Sequence, residues 1–277
     1  MKKQNFKTKP KYEKLEEKKS PSSTIFGIMP VLEALRSERR NIEQISITEG
    51  ANSPRVREIL DLSREKGIIV NRVAKNIFFR LVEPNVNHQG IAAVISAASY
   101  FDADKLIARL QKKVSTENPP LAVIVDSVED PRNLGAILRT VEAAGADGVF
   151  IPERRAVGLN ETVVKSSAGA TEYVKVAKVG NLNRLIDELR ENNIWVVGTD
   201  GDAEKDYTEW DWRQPTALVL GSEGKGLHRL VAEKCDLLVK IPMQGKIESL
   251  NVSVAAGVIL FEAIRQRAVS GIGIKIL

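Results

Sequence analysis

Three short stretches of the chain combine polar side chains with glycines at spacings that could serve chemistry. The first, Asp126 to Arg139, reads D-S-V-E-D-P-R-N-L-G-A-I-L-R. Pro131 and Asn133 suit a turn that leads into a helix, and Gly135 permits close backbone approach. Arg139 lies nearly two helical turns beyond Asn133, so it projects from the helix rather than the loop. It can serve a site or simply pair with a surface carboxylate. The second stretch, Leu218 to Leu227, reads L-V-L-G-S-E-G-K-G-L. Its three glycines around Glu223 can turn backbone N–H groups toward a ligand, or make a tight turn with no ligand at all. A P-loop fails because Leu227 stands where Lys and Ser or Thr are needed, and G-x-G-x-x-G fails at Arg229. The third, Ile241 to Val254, reads I-P-M-Q-G-K-I-E-S-L-N-V-S-V. It sets Ser249, Asn251 and Ser253 at the start of an otherwise apolar helix, and capping accounts for one such residue better than for three.

Other chemistry has less support. His88 and His228, the two histidines, have no cysteine or carboxylate partners at metal-ligand spacing, so no metal is expected. The single Cys235 offers no disulfide, fits a reducing cytoplasm, and reads as packing rather than as a nucleophile. The G-x-S-x-G elbow of Ser/His hydrolases is absent.

The elements that must position these stretches fall into two groups. From Ile28 to Ser99 the pattern predicts a small α/β module: helices at Ile28–Arg36 and Pro54–Lys66, and strands at Ile42–Ile47, Ile68–Arg72 and Ile91–Ala97. Asp102 to Lys113 reads as helical, and Ser115 to Pro120 as a polar break, so 100–120 is taken as a linker between domains 24–99 and 121–277. The second domain holds five short apolar runs: Leu121–Val125, Gly148–Ile151, Ile194–Gly198, Ala217–Leu220 and Leu237–Ile241. Runs apolar on both faces belong to a parallel sheet covered by helices, here Leu134–Ala144, Leu182–Glu191 and Leu250–Arg267. All three polar stretches follow strand ends, where open α/β sheets bind ligands.

Charge is unevenly placed. The net charge is +5, and residues 1–20, with eight lysines and three glutamates, carry all of it, leaving the rest of the chain balanced. Residues 1–23 are therefore expected to be a disordered basic tail, either an RNA-attracting arm or a solubilising one. The tail lacks the apolar core of a secretory signal, and no apolar run is long enough for a membrane helix. A cytoplasmic protein with no membrane partner is expected.

Taken together, N-x-G-x-x-x-R at Asn133–Arg139, L-G-S-E-G-K-G-L at Leu220–Leu227 and I-P-M-x-G-x-x-x-S-L-N-V-S at Ile241–Ser253 resemble the three motifs of the SpoU/TrmH RNA 2'-O-methyltransferases. The segment Ile25–Leu35 and N-H-Q-G-I at Asn87–Ile91 resemble the amino-terminal domain of the subgroup that modifies large-subunit ribosomal RNA, so the likeness spans about residues 24–268. It implies an α/β fold: a C-terminal SPOUT domain with a parallel sheet and deep trefoil knot, preceded by a small ribosomal-protein-like domain of the L30e type. It also implies a homodimer, to which the largely apolar helix from Val252 to Phe261 is suited.

The resemblance implies S-adenosylmethionine as cofactor, touched by Gly221, Ile241 and Leu250 with Gly198, Thr199, Met243 and Ser249 nearby. It makes Arg139 the residue facing the ribose 2'-hydroxyl, positioned by Asn133, Glu223 and Asn251. Arginine is often taken as the base in this family, yet guanidinium stays protonated in proteins. Either a nearby phosphate assists an unusual deprotonation, or Arg139 stabilises developing negative charge while water takes the proton, and the second is the better expectation. The implied partner is RNA, most specifically a guanosine of 23S ribosomal RNA. Alternatives are a transfer-RNA 2'-O-methyltransferase, a resistance methylase of related layout, and an RNA-binding assembly factor without activity.

Overall fold

The computed structural model describes residues 22–37, 41–81, 88–96, 99–222, 224, 226–246 and 249–271. The lysine-rich stretch 1–21, Asn87, Glu223 and Lys225 lie outside the described residues.

The amino-terminal part forms a four-stranded sheet. In chain order its elements are β1 (Ser22–Phe26), α1 (Ile28–Ser37), β2 (Ile42–Thr48), α2 (Pro54–Glu65), β3 (Ile69–Val73), α3 (Lys75–Leu81) and β4 (Ile91–Ser96), with strand order β1-β4-β2-β3. β4 runs antiparallel to β1 and β2, while β2 and β3 are parallel. Alternation places Ile45 and Ile47 of β2 and Ile91 and Ile95 of β4 in one core with Leu32, Leu35, Val56 and Ile59 of the helices. Two elements were not foreseen. Strand β1 begins inside the stretch expected to be a disordered tail, because Ser22 and Ser23 pair with Ser96 and Ile95 and the strand buries Ile25 and Phe26. Helix α3 is too short for a helical period to show, and fully buried Phe78 anchors it.

The remaining elements are α4 (Ala103–Lys113), β5 (Leu121–Val125), α5 (Pro131–Ala143), β6 (Gly148–Pro152), α6 (Glu161–Ser166), β7 (Val176–Val179), α7 (Leu182–Glu191), β8 (Trp195–Thr199), β9 (Lys205–Asp206), β10 (Thr216–Leu220), α8 (Arg229–Lys234), β11 (Leu237–Lys240) and α9 (Val252–Val269). They build a parallel sheet ordered β7-β6-β5-β10-β8-β11-β9. Every residue of β5 and β10 is buried, as central strands covered on both faces require. One face packs Ile137, Leu138 and Val141 of α5 against Ile259 and Leu260 of α9. The other packs Leu106 and Leu110 of α4 with Leu185 and Leu189 of α7.

The linker expected over 100–120 is corrected by α4. Asp102 caps this helix by accepting from Lys105 N at 2.9 Å. Leu106 and Leu110 are fully buried against the large sheet, so the helix belongs to that body. The two sheets are joined side by side: Val164 of α6 packs into the small core, and Glu161 accepts from Thr24 N at 3.2 Å. The Tyr173 hydroxyl donates to Glu33, and burial followed by that carboxylate pushes the phenol up to about 12. Gly169 sits at φ 94°, where a Cβ would stand 2.7 Å from Glu33 Cβ, so glycine permits this contact. Among the described residues, no helix is long and apolar enough to cross a membrane.

Candidate active site

Parallel register brings the three polar stretches to one edge. Val219 of β10 stands opposite both Ile124 of β5 and Gly198 of β8, and Val239 of β11 stands opposite Thr199. Asp126, Thr199, Gly221 and Ile241, at or just past their strand ends, therefore emerge on the same carboxyl edge. The first and third stretches are joined directly. Asn133 near the start of α5 is buried, and its Oδ1 accepts from Asn251 Nδ2 at 3.0 Å. Asn251 also caps α9, its Oδ1 accepting from Ser253 N at 2.9 Å and from Ser253 Oγ at 2.5 Å. One cap thus employs both Asn251 and Ser253; Ser249 is exposed just before it.

The glycine-bearing loop after β10 closes on itself. Ser222 N donates to Gly226 O at 2.9 Å and Gly226 N returns a bond to Ser222 O at 3.1 Å. These two N–H groups are consequently spent inside the loop, which for them is the tight-turn alternative of the two that the sequence leaves open. Gly221 is required by the fold-back itself, since a Cβ there would meet the Gly226 carbonyl carbon at 2.2 Å. Gly198 serves packing: a Cβ would lie 2.7 Å from side-chain carbons of Leu227 and Leu238 and 2.9 Å from Cys235 Sγ. The Thr199 hydroxyl donates to Val219 O at 3.2 Å. Gly135, too, allows close approach, but of α6, whose Ser166 Oγ would stand 1.9 Å from an added Cβ. Burial, then Asp236 and Asp126, push the Cys235 thiol up to about 12, which suits the packing role read from sequence.

Beyond β11 the chain offers a different surface. Among the described residues, the peptide groups of 241–246 form no hydrogen bonds with other backbone groups. Beside them Ile241 is half-buried, while Met243 and Leu250 are 37% and 36% exposed. Peptide donors and acceptors that bond to no described backbone group, among accessible apolar side chains, suit a flat heterocycle that needs both.

Next to this edge opens a cleft of about 600 Å³ lined by residues 127–130, Asn133, Arg155, Ser222, residues 226–229 and Val252. Asp126, 2% exposed, is buried next to the lining residues Ser127 and His228 and bonds to both. One carboxylate oxygen accepts from His228 N at 2.8 Å, and the other lies 2.9 Å from His228 Nδ1 and accepts from Ser127 Oγ at 3.1 Å. Ser127 and Arg155 both adopt left-handed backbone, at φ 61° and 59°. Such conformations are uncommon for residues with a Cβ and cluster at functional sites. Asp126, Ser127, His228 and Arg155 were not singled out as site residues, although β5 and β10 end side by side. Arg139 stands apart, exposed on α5 and outside the cleft lining. At about 100° per residue it lies about 120° round the helix from Asn133. Glu223 is outside the described residues.

This layout is an α/β fold with a cleft beyond the carboxyl ends of parallel strands and a second α/β unit docked beside it. The profile of the SpoU rRNA Methylase family matches residues 120–261, and that of the RNA 2'-O ribose methyltransferase substrate-binding domain matches residues 24–101. The chain is 43% identical over 243 residues to YacO of Bacillus subtilis, assigned to the TrmH family of tRNA/rRNA methyltransferases, covering 88% of this chain and 95% of that one. Among solved structures it is similar to the SpoU methyltransferase AviRb of Streptomyces viridochromogenes in complex with AdoMet. There the TM-score is 0.73 at 26% identity, over 90% of this chain and 91% of the other. An AdoMet-bound rRNA methyltransferase of Sinorhizobium meliloti aligns with TM-score 0.71 and 26% identity, over 88% and 87%. The chain belongs to the SpoU family of RNA 2'-O-ribose methyltransferases.

Proposed function

We propose that this chain methylates the ribose 2'-hydroxyl of a guanosine in 23S ribosomal RNA, with S-adenosylmethionine as methyl donor. The observation that carries the reading is the hydrogen bond between Asn133 and Asn251, which holds the first and third stretches together beside the open cleft. When bound, S-adenosylmethionine supplies an activated methyl group. Ile241, Met243 and Leu250 would hold it with apolar contact and the unbonded peptide groups of 241–246, Gly221 keeps the neighbouring loop folded, and Thr199 and Ser249 flank the slot. Asn133 and Asn251 fix the geometry of the edge, and Glu223 completes the set.

Arg139 enters this site through dimerisation. Val254 and Phe261, 50% and 52% exposed, lie seven residues apart on one face of α9, which packs on α5. An exposed apolar stripe of this kind marks an association surface. Its closure by a second copy brings the exposed Arg139 to a reaction centre, where its charge stabilises the developing alkoxide. The knot rests on membership of the family, and the strand order, with β10 between β5 and β8 and β11 between β8 and β9, is compatible with it. The four-stranded unit, an L30e-type fold in this reading, docks the RNA, and the chain works in the cytoplasm.

Two measurements test the proposal. A map of 2'-O-methylation across cellular RNA, with and without the gene, should lose one guanosine of 23S RNA; loss at a transfer RNA instead would replace the substrate, and an unchanged map would overturn the activity. Gly221→Ala should weaken S-adenosylmethionine binding in calorimetry about ten- to a hundredfold, because overpacking of this sort costs about 1–3 kcal/mol. Wild-type affinity in that variant would detach the loop from the donor slot.

A further inference from the structure

Methyl transfer to a hydroxyl releases a proton, and the structure contains a group suited to take it. Accepting the reading of the site given above, we infer that His228 is the proton acceptor for the 2'-hydroxyl, held in its working tautomer by Asp126. Three observations carry this. His228 lines the cleft together with Asn133, and its side chain is 52% exposed. Its orientation is fixed at two points, since Asp126 takes the backbone N–H at 2.8 Å and faces Nδ1 at 2.9 Å. The carboxylate itself is buried, while the imidazole it faces reaches the surface of the cleft.

The tautomer follows from the donor count. A carboxylate only accepts, so the ring nitrogen that faces it carries the proton. Ser127 Oγ, 3.2 Å from the same nitrogen, is already placed to donate to Asp126 Oδ1 at 3.1 Å. Nε2 of neutral His228 is therefore left with its lone pair. An imidazole held by a carboxylate on one nitrogen, with the other making no hydrogen bond among the described residues and the ring half-exposed at a cleft, is the arrangement of a general base. No such role is open to a guanidinium.

The step balances. The 2'-oxygen forms a bond to the methyl carbon, the carbon–sulfur bond breaks with its electron pair passing to sulfur, and the 2'-proton moves to Nε2 of His228 and then to solvent. The charged groups around the imidazole are Asp126 beneath it, Glu129 and Asp130 on the loop after β5, Arg155 beyond β6, and Arg229 at the start of α8, paired with Glu233 at 2.7 Å. The Cys235 thiol, near Asp126, is pushed up by burial and stays neutral.

The test joins kinetics to spectroscopy on the full chain. Single-turnover methyl transfer by the wild type should rise with pH along an acid limb and level off, because only neutral imidazole accepts a proton. His228→Gln should lower the plateau rate about a hundredfold or more and abolish the limb, with donor affinity within about twofold. Asp126 acts through His228, so Asp126→Asn should alter the limb as well as the rate. Only two histidines occur in the chain, and long-range ¹H–¹⁵N spectra can therefore assign the tautomer directly: Nδ1–H is expected for His228, and Nε2–H would overturn the inference. A His228→Gln variant that keeps the wild-type limb, at whatever rate, would also overturn it. A wild-type chain that methylates no RNA would sink the functional reading instead.

Discussion

Arg139→Ala is expected to lower methyl transfer about 10²- to 10³-fold while S-adenosylmethionine binds within about twofold of wild type. The side chain is exposed on α5 and makes no hydrogen bond or ion pair with the described residues. Truncation therefore leaves no buried partner unsatisfied, and folding stability should change by no more than about 0.5 kcal/mol. Few residues separate chemistry from stability so cleanly. If the guanidinium acts by its charge, Arg139→Lys should restore part of the rate, because ammonium keeps the charge but loses the planar fork. Radiolabelled methyl transfer under single-turnover conditions, paired with calorimetry, reads both effects. Turnover at the wild-type level would remove Arg139 from the mechanism, and equal loss of donor binding would make it a cofactor contact.

The contrast between Arg139 and Arg267 indicates how far the residue pattern reaches. Both sit on helices with one apolar and one polar neighbour in sequence, and nothing in spacing distinguishes them. In the structure one is exposed, while the other is 8% exposed and surrounded by carbonyls. Central strands such as β5 and β10 were legible because burial on both faces writes an unbroken apolar run. β9, of two residues, and α6 and α8, of six each, are too short to show a period. Strand β1 escaped because its ladder depends on β4, about seventy residues later, and α4 was misplaced because its amphipathic face does not say which sheet it covers. The three polar stretches could be found from spacing, yet the bond from Asn133 to Asn251 spans 118 positions and exists only once the sheet is assembled. The pairing of Asp126 with His228 has the same origin: an insertion of β10 beside β5, which local pattern does not encode.

Arg267→Met should be the most destabilising single change among those considered, by about 3–5 kcal/mol. Nε donates to Trp212 O at 2.9 Å, Nη1 to Pro119 O at 2.8 Å, and Nη2 to Pro120 O and Gln214 O at 3.2 and 3.3 Å. Burial holds the guanidinium below its ordinary value, with Asp147 opposing. The last turns of α9 thereby tie together the segments that lead into β5 and β10, the two strands whose ends flank the cleft. Methionine fills similar volume but leaves these carbonyls without their donor, and lysine cannot span all four. At about 2–4 °C per kcal/mol for a chain of this size, the melting temperature should fall by about 10 °C; a shift under about 2 °C would refute the clamp. Asn251 caps the other end of the same helix and holds Asn133. Loosening α9 at Arg267 should therefore weaken donor binding as well, at temperatures where the rest of the chain remains folded, whereas Arg139→Ala leaves that binding intact.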